Sequence, residues 1–387
     1  MRITDVTSYV IKQSTGTTYD GHEEGTGAGP VRGYTTRPPW RSLYPAGMET
    51  LLVRVRTDEG LEGWGEALAP VGPEVVGAIV DRMLGPWLVG RDPRPVRPLW
   101  DGMRDLMRER GHLVGHQADA MAALDIALWD LLGRATGLPV AQLLGGSYRK
   151  SVPSYVSGLA EPTDEGRALL AAEWAARGAT TVKIAGGNGV DADLATIDAV
   201  AAAAPGLRIA LDAHWVYSLA EALELGRELD RRRVLFFEAP LVPEDVDGHR
   251  ELAARLTTPV AVGESMRNRY EFRDWLGRRA LGLAQPDVAR TGITEAMTIA
   301  ALADAHHVPV AFHHSVGLGV ALAAGLHASA AAGNSAFFEL QPTVVPYAQR
   351  ILREPMDAGP ASFALPEGPG LGIDVDLDTV RTLAEEN

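Results

Sequence analysis

Acidic and histidine side chains recur at regular intervals in the second half of the chain, each at the end of a short apolar run. These residues are Asp212, Glu238, Glu264, Asp287, His314 and Glu339. Successive members are 26, 26, 23, 27 and 25 residues apart, which is the length of one strand–helix unit. If the runs are neighbouring parallel strands of a barrel, all six side chains meet at its carboxyl-terminal face. Barrel enzymes carry their chemistry on that face.

Three of these carboxylates, Asp212, Glu238 and Glu264, would come from three neighbouring strands. Carboxylates that face one another repel unless a cation neutralises them. Ligation by oxygen alone favours a hard divalent cation, so we predict that the three residues bind Mg²⁺. Each residue taken alone would rather indicate a solvated strand-end acid or the N-cap of the following helix, and it is the occurrence of three in register that favours the metal site.

His314 and Asp287 are expected on adjacent strands. A carboxylate in that position can orient the imidazole and keep it a competent base near neutral pH. We therefore predict that His314 is a catalytic acid/base residue and that Asp287 supports it. His313 is the local rival, but alternation along a strand would turn its side chain to the other side.

Two further residues are expected at the same carboxyl-terminal face of the barrel. His214 follows Asp212 by two positions and would face the same way on a strand. We predict a catalytic role for His214, with a metal-ligating or supporting histidine as the alternative. Lys183 ends the run TTVKI, where it could bind a substrate carboxylate or form a structural salt bridge to a metal-binding acid.

The pattern along the chain predicts the elements that must position these residues. From about residue 152, eight short β-like runs alternate with alanine-rich amphipathic stretches, which predicts a parallel α/β barrel at 146–342. Residues 1–145 contain three strand candidates followed by helices, as in a compact α+β domain. The Pro/Gly-rich tail, 343–387, is expected to pack back on that first domain.

Composition narrows the class of protein. The net charge of −14 over 387 residues disfavours binding to nucleic acid and to anionic membranes. The absence of Cys excludes disulfides, thiolate metal sites and a cysteine nucleophile, and it fits a cytoplasmic enzyme. We find no signal-peptide pattern and no apolar run long enough to span a membrane. The motifs GxGxxG, HExxH and GxSxG and a Walker lysine are also missing.

The chain resembles the enolase superfamily, in its mandelate racemase branch, over essentially its whole length. The resemblance rests on the segments GWGEA, ALDIALWDLLGRATGLPVAQLLGG, FFEAPL, VGES, AQPDVARTGITEA and PEGPGLGIDV, in this order. It implies a modified (β/α)7β TIM-like barrel with an N-terminal α+β capping domain that the C-terminal tail completes. It also implies Mg²⁺ at the three carboxylates and proton abstraction next to a substrate carboxylate. Glu339 matches the eighth-strand glutamate that donates a hydrogen bond to that carboxylate.

One departure from the family pattern bears on the reaction. Many members carry Lys-x-Lys at the end of the second strand, whereas this chain has Lys183-Ile184-Ala185. The arrangement Asp212-x-His214 is similar to galactonate dehydratase and its relatives, in which third- and seventh-strand histidines form the acid/base pair. The resemblance therefore implies a lyase that dehydrates an aldonate or aldarate to a 2-keto-3-deoxy acid, with either histidine as the base. An epimerase, racemase or lactone cycloisomerase is the alternative within the fold, and a non-catalytic sugar-acid-binding protein is the remote one.

A long segment of the first domain, residues 14–47, is rich in Gly, Thr, Pro and Arg and lacks periodicity. Loops of this length inside compact proteins are more often functional than not. Arg32, Arg37 and Arg41 lie close to Trp40, and forked guanidinium groups suit the carboxylate and hydroxyls of an acid sugar. We predict that the segment closes over substrate, with Arg41 and Trp40 as substrate contacts; docking against a neighbouring subunit is the alternative. We also expect a homo-oligomer.

Overall fold

The computed structural model describes residues 1–16, 31, 33–45, 47–110 and 113–385. A small antiparallel sheet, in the order β1-β4-β5, forms the base of the N-terminal capping unit, and β2 pairs with β3 in a separate hairpin inside the segment 14–47. Strands β4 and β5 are antiparallel neighbours. The strands are β1 (Ile3–Gln13), β2 (Tyr34–Thr36), β3 (Leu43–Pro45), β4 (Met48–Thr57) and β5 (Glu62–Ala67).

The helices of the capping unit pack on this sheet and carry its connection to the barrel. They are α1 (Pro73–Ile79), α2 (Gly85–Leu88), α3 (Val96–Met107), α4 (Gly115–Thr136) and α5 (Val140–Leu143), with a π-helical turn at Val80–Leu84 and a 3₁₀ turn at Arg108–Arg110. Helix α4 is buried on most of its surface, and it ends at Gly137, whose φ of 71° suits glycine. Strand β5 lies so close to α4 that a Cβ at Gly65 would come within 1.8 Å of the Ala123 carbonyl oxygen. The glycines of GWGEA therefore permit this packing.

Eight parallel strands close into a barrel, as predicted. Each strand pairs with its sequence neighbour, and the last pairs with the first through Glu339 and Tyr155. The strands are β6 (Ser151–Ser157), β7 (Thr181–Ala185), β8 (Arg208–Asp212), β9 (Phe237–Glu238), β10 (Val260–Val262), β11 (Leu283–Ala284), β12 (Val310–Phe312) and β13 (Ser335–Leu340).

A helix follows each of the first seven barrel strands, and several begin at polar caps. Ser218 and Glu221 form a capping box at α8, and Asn268 caps α10. The helices are α6 (Asp164–Ala176), α7 (Val190–Ala203), α8 (Leu219–Arg232), α9 (Val246–Arg255), α10 (Arg269–Arg278), α11 (Val288–Ala305) and α12 (Gly319–Ala331).

The C-terminal segment contacts both units. It contains α13 (Val345–Ala348), a 3₁₀ turn at Gln349–Ile351, β14 (Ser362–Ala364) and α14 (Leu377–Glu385). Strand β14 pairs antiparallel with β6 of the barrel, whereas α14 packs against β1 of the capping unit. Among the described residues, no helix combines the length and apolarity that crossing a membrane requires. The expected homo-oligomer and cytoplasmic location stay predictions.

Four buried polar residues join the capping unit, the barrel and the C-terminal segment: Glu66, Asp125, Asp130 and His327. We call this group the seam. Glu66 accepts hydrogen bonds from the backbone N–H groups of Leu318 and Ala321 at the start of α12. Asp130 accepts from the backbone N–H groups of Trp64 and Leu371, at 2.9 and 2.8 Å. The motif residues of GWGEA and ALDIALWD therefore hold the two units together.

Candidate active site

A cavity of about 350 Å³ lies at the carboxyl-terminal ends of the barrel strands, between the barrel and the capping segment around β2 and β3. The sequence-predicted residues that line it are Trp40, Lys183, Asp212, His214, Glu264 and Glu339. Glu238 lies behind this wall, where it is buried and accepts a hydrogen bond from Lys183. The regular spacing in the sequence thus brings these side chains to one end of the barrel.

The histidine that Asp287 holds is His313, so the predicted pairing of Asp287 with His314 is wrong. His313 Nδ1 lies 2.6 Å from Asp287 Oδ2, and its Nε2 lies 3.1 Å from Glu264 Oε2. The cause is strand register: Ala284 pairs with Val310, and the same offset pairs Asp287 with His313. Side chains paired across parallel strands point to the same side, and the next residue along the strand points away.

His314 is consequently turned away from the cavity. It is buried, its ring stacks on Phe338 with centroids 5.7 Å apart, and its backbone N–H donates to Glu339. Burial lowers the pKa of His314 to about 4, so its imidazole is neutral at ordinary pH. The pKa of His313 moves the opposite way. Burial lowers it, but the charge of Glu339 and the hydrogen bonds to Asp287 and Glu264 outweigh burial and raise it well above the usual value.

Lys183 links the carboxylates at the base of the cavity. Its Nζ lies 2.9 Å from both Glu238 and Glu339, and 3.6 Å from Asp212. Of the two interpretations of Lys183, the structure shows the salt bridge to an acid predicted to bind metal. We call Lys183, Asp212, Glu238, Glu264, His313 and Glu339 the mouth cluster.

The donor set of the mouth cluster fits a hard divalent cation. Burial, opposed by Lys183, raises the pKa of Asp212 and of Glu238, and neighbouring carboxylates raise both further. Among the described residues, Glu238 Oε1 is buried without a hydrogen-bond partner. Among the residues that the structure describes, no three His, Asp or Glu side chains are arranged so that together they could hold a metal ion. Instead, Lys183 forms an ion pair with Glu238, and His313 forms one with Glu264.

Glu339 is a hydrogen-bond acceptor in this state. It accepts from the Ser157 hydroxyl and from Lys183, and it is buried. Burial raises its pKa, but the positive charges of Lys183 and His313 outweigh burial and lower the pKa to about 2. The resemblance implied that Glu339 donates a hydrogen bond to substrate, and in this structure it has no proton to donate.

His214 lines the cavity, although not for the predicted reason. Strand β8 ends at Asp212, and His214 lies in the following turn with a φ of 50°, in the left-handed region. Its ring stacks on Trp40 with centroids 3.8 Å apart and planes 16° apart. Burial lowers the pKa of His214 to about 4. Trp40 also donates a hydrogen bond from Nε1 to the Gly186 carbonyl, so it holds the imidazole against the loop after β7.

The arginines of the capping segment are divided. Arg41, predicted as a substrate contact, is exposed and does not line the cavity, whereas Arg37 does line it. Arg37 also stacks over the Tyr44 ring, 4.6 Å from its centroid. Arg32 lies outside the described residues, as do residues 17–30 and 46 of the predicted closing loop.

Sequence reasoning missed several polar residues around the mouth. Gln285 donates to Glu238 at 2.8 Å, and Trp215 donates to Glu264 at 3.1 Å. Arg267 and Arg290 also line the cavity. Position could have suggested three of them: Gln285 precedes Asp287 by two residues in QPD, Trp215 follows His214, and Arg267 follows Glu264 by three.

Comparisons with known proteins agree with this architecture. Residues 42–145 match the mandelate racemase/muconate lactonizing enzyme N-terminal domain, and residues 167–379 match the enolase C-terminal domain-like family. The chain is 36% identical to a D-galactarolactone cycloisomerase of Agrobacterium fabrum, covering 85% of this chain and 90% of that protein. It is 35% identical to a D-galactonate dehydratase of Verminephrobacter eiseniae, covering 75% and 77%.

A solved structure gives the same result over the whole chain. An enolase superfamily member from Agrobacterium tumefaciens superposes with a TM-score of 0.92 at 35% identity, covering 98% of both chains. The family domains, the relatives and the closed barrel with its capping unit lead to one assignment. This chain belongs to the enolase superfamily, in its mandelate racemase/muconate lactonizing enzyme branch.

Proposed function

We propose that this enzyme removes the α-proton of a sugar acid and then expels the β-hydroxyl, giving a 2-keto-3-deoxy acid. The observation that carries the proposal is His313, which reaches the cavity wall between Asp287 and Glu264. An imidazole oriented by a carboxylate is a standard arrangement for proton transfer. In this proposal His313 replaces His314 as the base. Because Glu339, Asp287 and Glu264 raise the pKa of His313, its imidazole must give up its own proton before it can accept the α-proton.

His214 is the group we assign to the departing hydroxyl. It lies after β8, the third barrel strand, whereas His313 follows β12, the seventh. In an eight-stranded barrel these positions are diametrically opposite, so the two imidazoles reach the cavity from opposite sides. His313 can therefore take the α-proton, and His214, whose lowered pKa leaves it neutral in this structure, must acquire a proton before it delivers one to the β-oxygen.

Members of the superfamily typically bind Mg²⁺, and we propose that Asp212, Glu238 and Glu264 hold it here. When bound, the cation would supply positive charge beside the substrate carboxylate and so lower the free-energy cost of removing the α-proton. The buried, unpartnered Glu238 Oε1 supports this assignment. Lys183 holds Glu238 and Glu339 in place within the same cluster.

A lactone cycloisomerase is the second candidate, because the 36% identical relative carries that name. Both reactions begin with α-proton removal and break a bond from the β-carbon to oxygen. They differ in the leaving group, which is a hydroxyl in the dehydratase and a lactone ring oxygen in the cycloisomerase. A dehydratase product therefore lacks one water, and a cycloisomerase product keeps the mass of its substrate.

The test is a screen of acid sugars and their lactones with Mg²⁺, read by mass spectrometry of the products. We expect loss of water and a 2-keto-3-deoxy acid. A product of unchanged mass would reject dehydration; formed from a lactone, it would favour the cycloisomerase, and formed from a free acid, an epimerase. The variant His214→Asn should stop water loss while the substrate α-hydrogen still exchanges with solvent deuterium. Loss of both processes in that variant would contradict the assigned role of His214.

A further inference from the structure

Two arginines on the cavity wall share one carboxylate. Arg267 follows β10, and Arg290 lies in the first turn of α11; both side chains are largely buried, at 16% and 18% exposure. Asp119 of α4 accepts from Arg267 Nε at 3.2 Å and from Nη2 at 3.4 Å. Asp119 is thus engaged by Arg267 through both of its oxygens.

Arg290 is less well satisfied. Its Nη1 lies 4.0 Å from Asp119 Oδ1, beyond hydrogen-bond distance, and among the described residues its Nε is buried without a hydrogen-bond partner. Two other carboxylates are near enough to favour its charge, Asp287 and Glu264, but both are hydrogen-bonded to His313. A guanidinium has five N–H donors in a planar fork, and a buried one left without acceptors costs free energy.

Arg290 lines the open cavity, so acceptors on a bound molecule can approach its side chain from that side. A carboxylate matches the guanidinium fork with two parallel hydrogen bonds, better than a hydroxyl does. In the proposed function, the reacting carboxylate of the substrate lies at Asp212, Glu238 and Glu264. A second anionic group is therefore needed to match Arg290.

We propose that Arg290 binds a second carboxylate of the substrate, so that the enzyme prefers an aldarate, with a carboxylate at each end, to an aldonate. This inference rests on the proposed function and narrows its substrate class. The cavity, at about 350 Å³, is within the range of small-molecule sites and admits a six-carbon diacid. Arg267 is already paired with Asp119, and it holds the Asp119 carboxylate in place beside Arg290.

The test uses matched pairs of ligands that differ only at the far end of the chain, such as galactarate with galactonate and glucarate with gluconate. In the parent enzyme we expect the diacid of at least one pair to have a kcat/KM about 100-fold above its partner, as a charge-assisted bidentate contact allows. Arg290→Gln should bring the ratio close to one, mainly through KM for the diacid. Arg290→Lys, which keeps the charge without the fork, should give an intermediate ratio.

Arg227→Gln is the control, because Arg227 is exposed on α8 and should leave the ratio unchanged. Arg290→Lys also serves if Arg290→Gln fails to fold. Equal loss for both members of a pair would show a structural role for Arg290 and overturn the inference, as would a parent enzyme that prefers aldonates. Calorimetric binding of the same ligands separates the two proposals. If the parent enzyme binds the diacid more tightly than the aldonate, and Arg290→Gln abolishes this preference, the inference about Arg290 holds even when no product forms. In that case only the proposed reaction would be rejected.

Discussion

The seam and the mouth cluster both bury acids and a histidine, but they satisfy them differently. In the seam, backbone N–H groups are the main donors to the carboxylates: Glu66 caps the start of α12, and Asp125 accepts from both the N–H and the hydroxyl of Thr294. Asp130 accepts from two backbone N–H groups and also from the side chain of Arg134. In the mouth, carboxylates depend on cationic side chains, chiefly Lys183 and His313.

This difference separates structure from chemistry. Backbone donors are fixed by the fold, so a carboxylate that they satisfy has no bonding capacity left for a ligand. The mouth cluster instead has side-chain cations that can exchange partners, and Glu238 Oε1 has no partner among the described residues. Burial of a titratable group alone does not mark a site, because Glu66 and Asp125 are as buried as Glu238. The nature of their partners does.

The largest expected effect comes from breaking the proposed cation site. Glu238→Gln, or treatment with a chelator, should lower turnover by about 10³-fold, because the charge beside the substrate carboxylate is lost. Thermal unfolding should show that the variant stays folded. Glu224→Gln, on the exposed face of α8, is the matched control and should keep full activity. If the enzyme kept its full rate in the presence of a chelator, the reaction would not depend on Mg²⁺ and the proposed cation site would be wrong.

Breaking the seam should reduce stability instead. Asp125→Ala leaves the Thr294 N–H and hydroxyl without their buried acceptor, which should lower the free energy of unfolding by about 3 kcal/mol. Asp125→Asn keeps a carbonyl acceptor and should lose about 1 kcal/mol. Urea denaturation of the two variants checks this order. Equal stability of the parent and Asp125→Ala would contradict the structural role of the seam.

His327 gives the seam a dependence on pH. Burial lowers its pKa from 6.5 to about 4, and it bonds the backbone of Ala141 and of Leu371. The folded protein keeps His327 neutral, whereas the unfolded chain protonates it below pH 6.5. Its contribution is therefore complete above pH 6.5 and is lost as the pH falls towards 4.

Between pH 7 and pH 5 this loss should be about 2 kcal/mol. Glu66 and Asp125 act in the opposite direction. Burial raises the pKa of each to about 7, so their protonation stabilises the folded protein as the pH falls. The difference between the parent and His327→Gln isolates the histidine. Denaturation curves at the two pH values should show a smaller loss of stability, or a larger gain, in the variant. Parallel pH profiles would contradict the prediction.

The smallest expected effect concerns Trp40, which orients His214 from the capping unit. Trp40→Ala removes the stacked ring and should lower kcat for water loss about 10-fold, while α-hydrogen exchange continues. Trp40→Phe keeps an aromatic ring and should recover most of the rate. Rate measurements for both steps check this. A parallel loss of exchange and water loss would show that Trp40 does not act through His214.

The sequence predicted the barrel well because its signals are local and repeated. Strand-end acids spaced by one βα unit located Asp212, Glu238 and Glu264 without knowledge of their contacts. Register was harder: whether His313 or His314 faces Asp287 depends on cross-strand pairing, and a one-residue shift reverses the side. The approach of Arg290 to Asp119 and the stacking of Trp40 on His214 depend on long-range packing between the capping unit and the barrel, which spacing along the chain does not encode.

The most direct test measures exchange of the substrate α-hydrogen with solvent deuterium in folded His313→Asn and His314→Asn variants. Proton NMR monitors this exchange. Both side chains are buried neighbours, but only His313 contacts Asp287 and reaches the cavity. We predict that His313→Asn loses exchange by about 10³-fold or more, and that His314→Asn stays within about 10-fold of the parent. Loss of exchange in His314→Asn together with retention in His313→Asn would contradict the account.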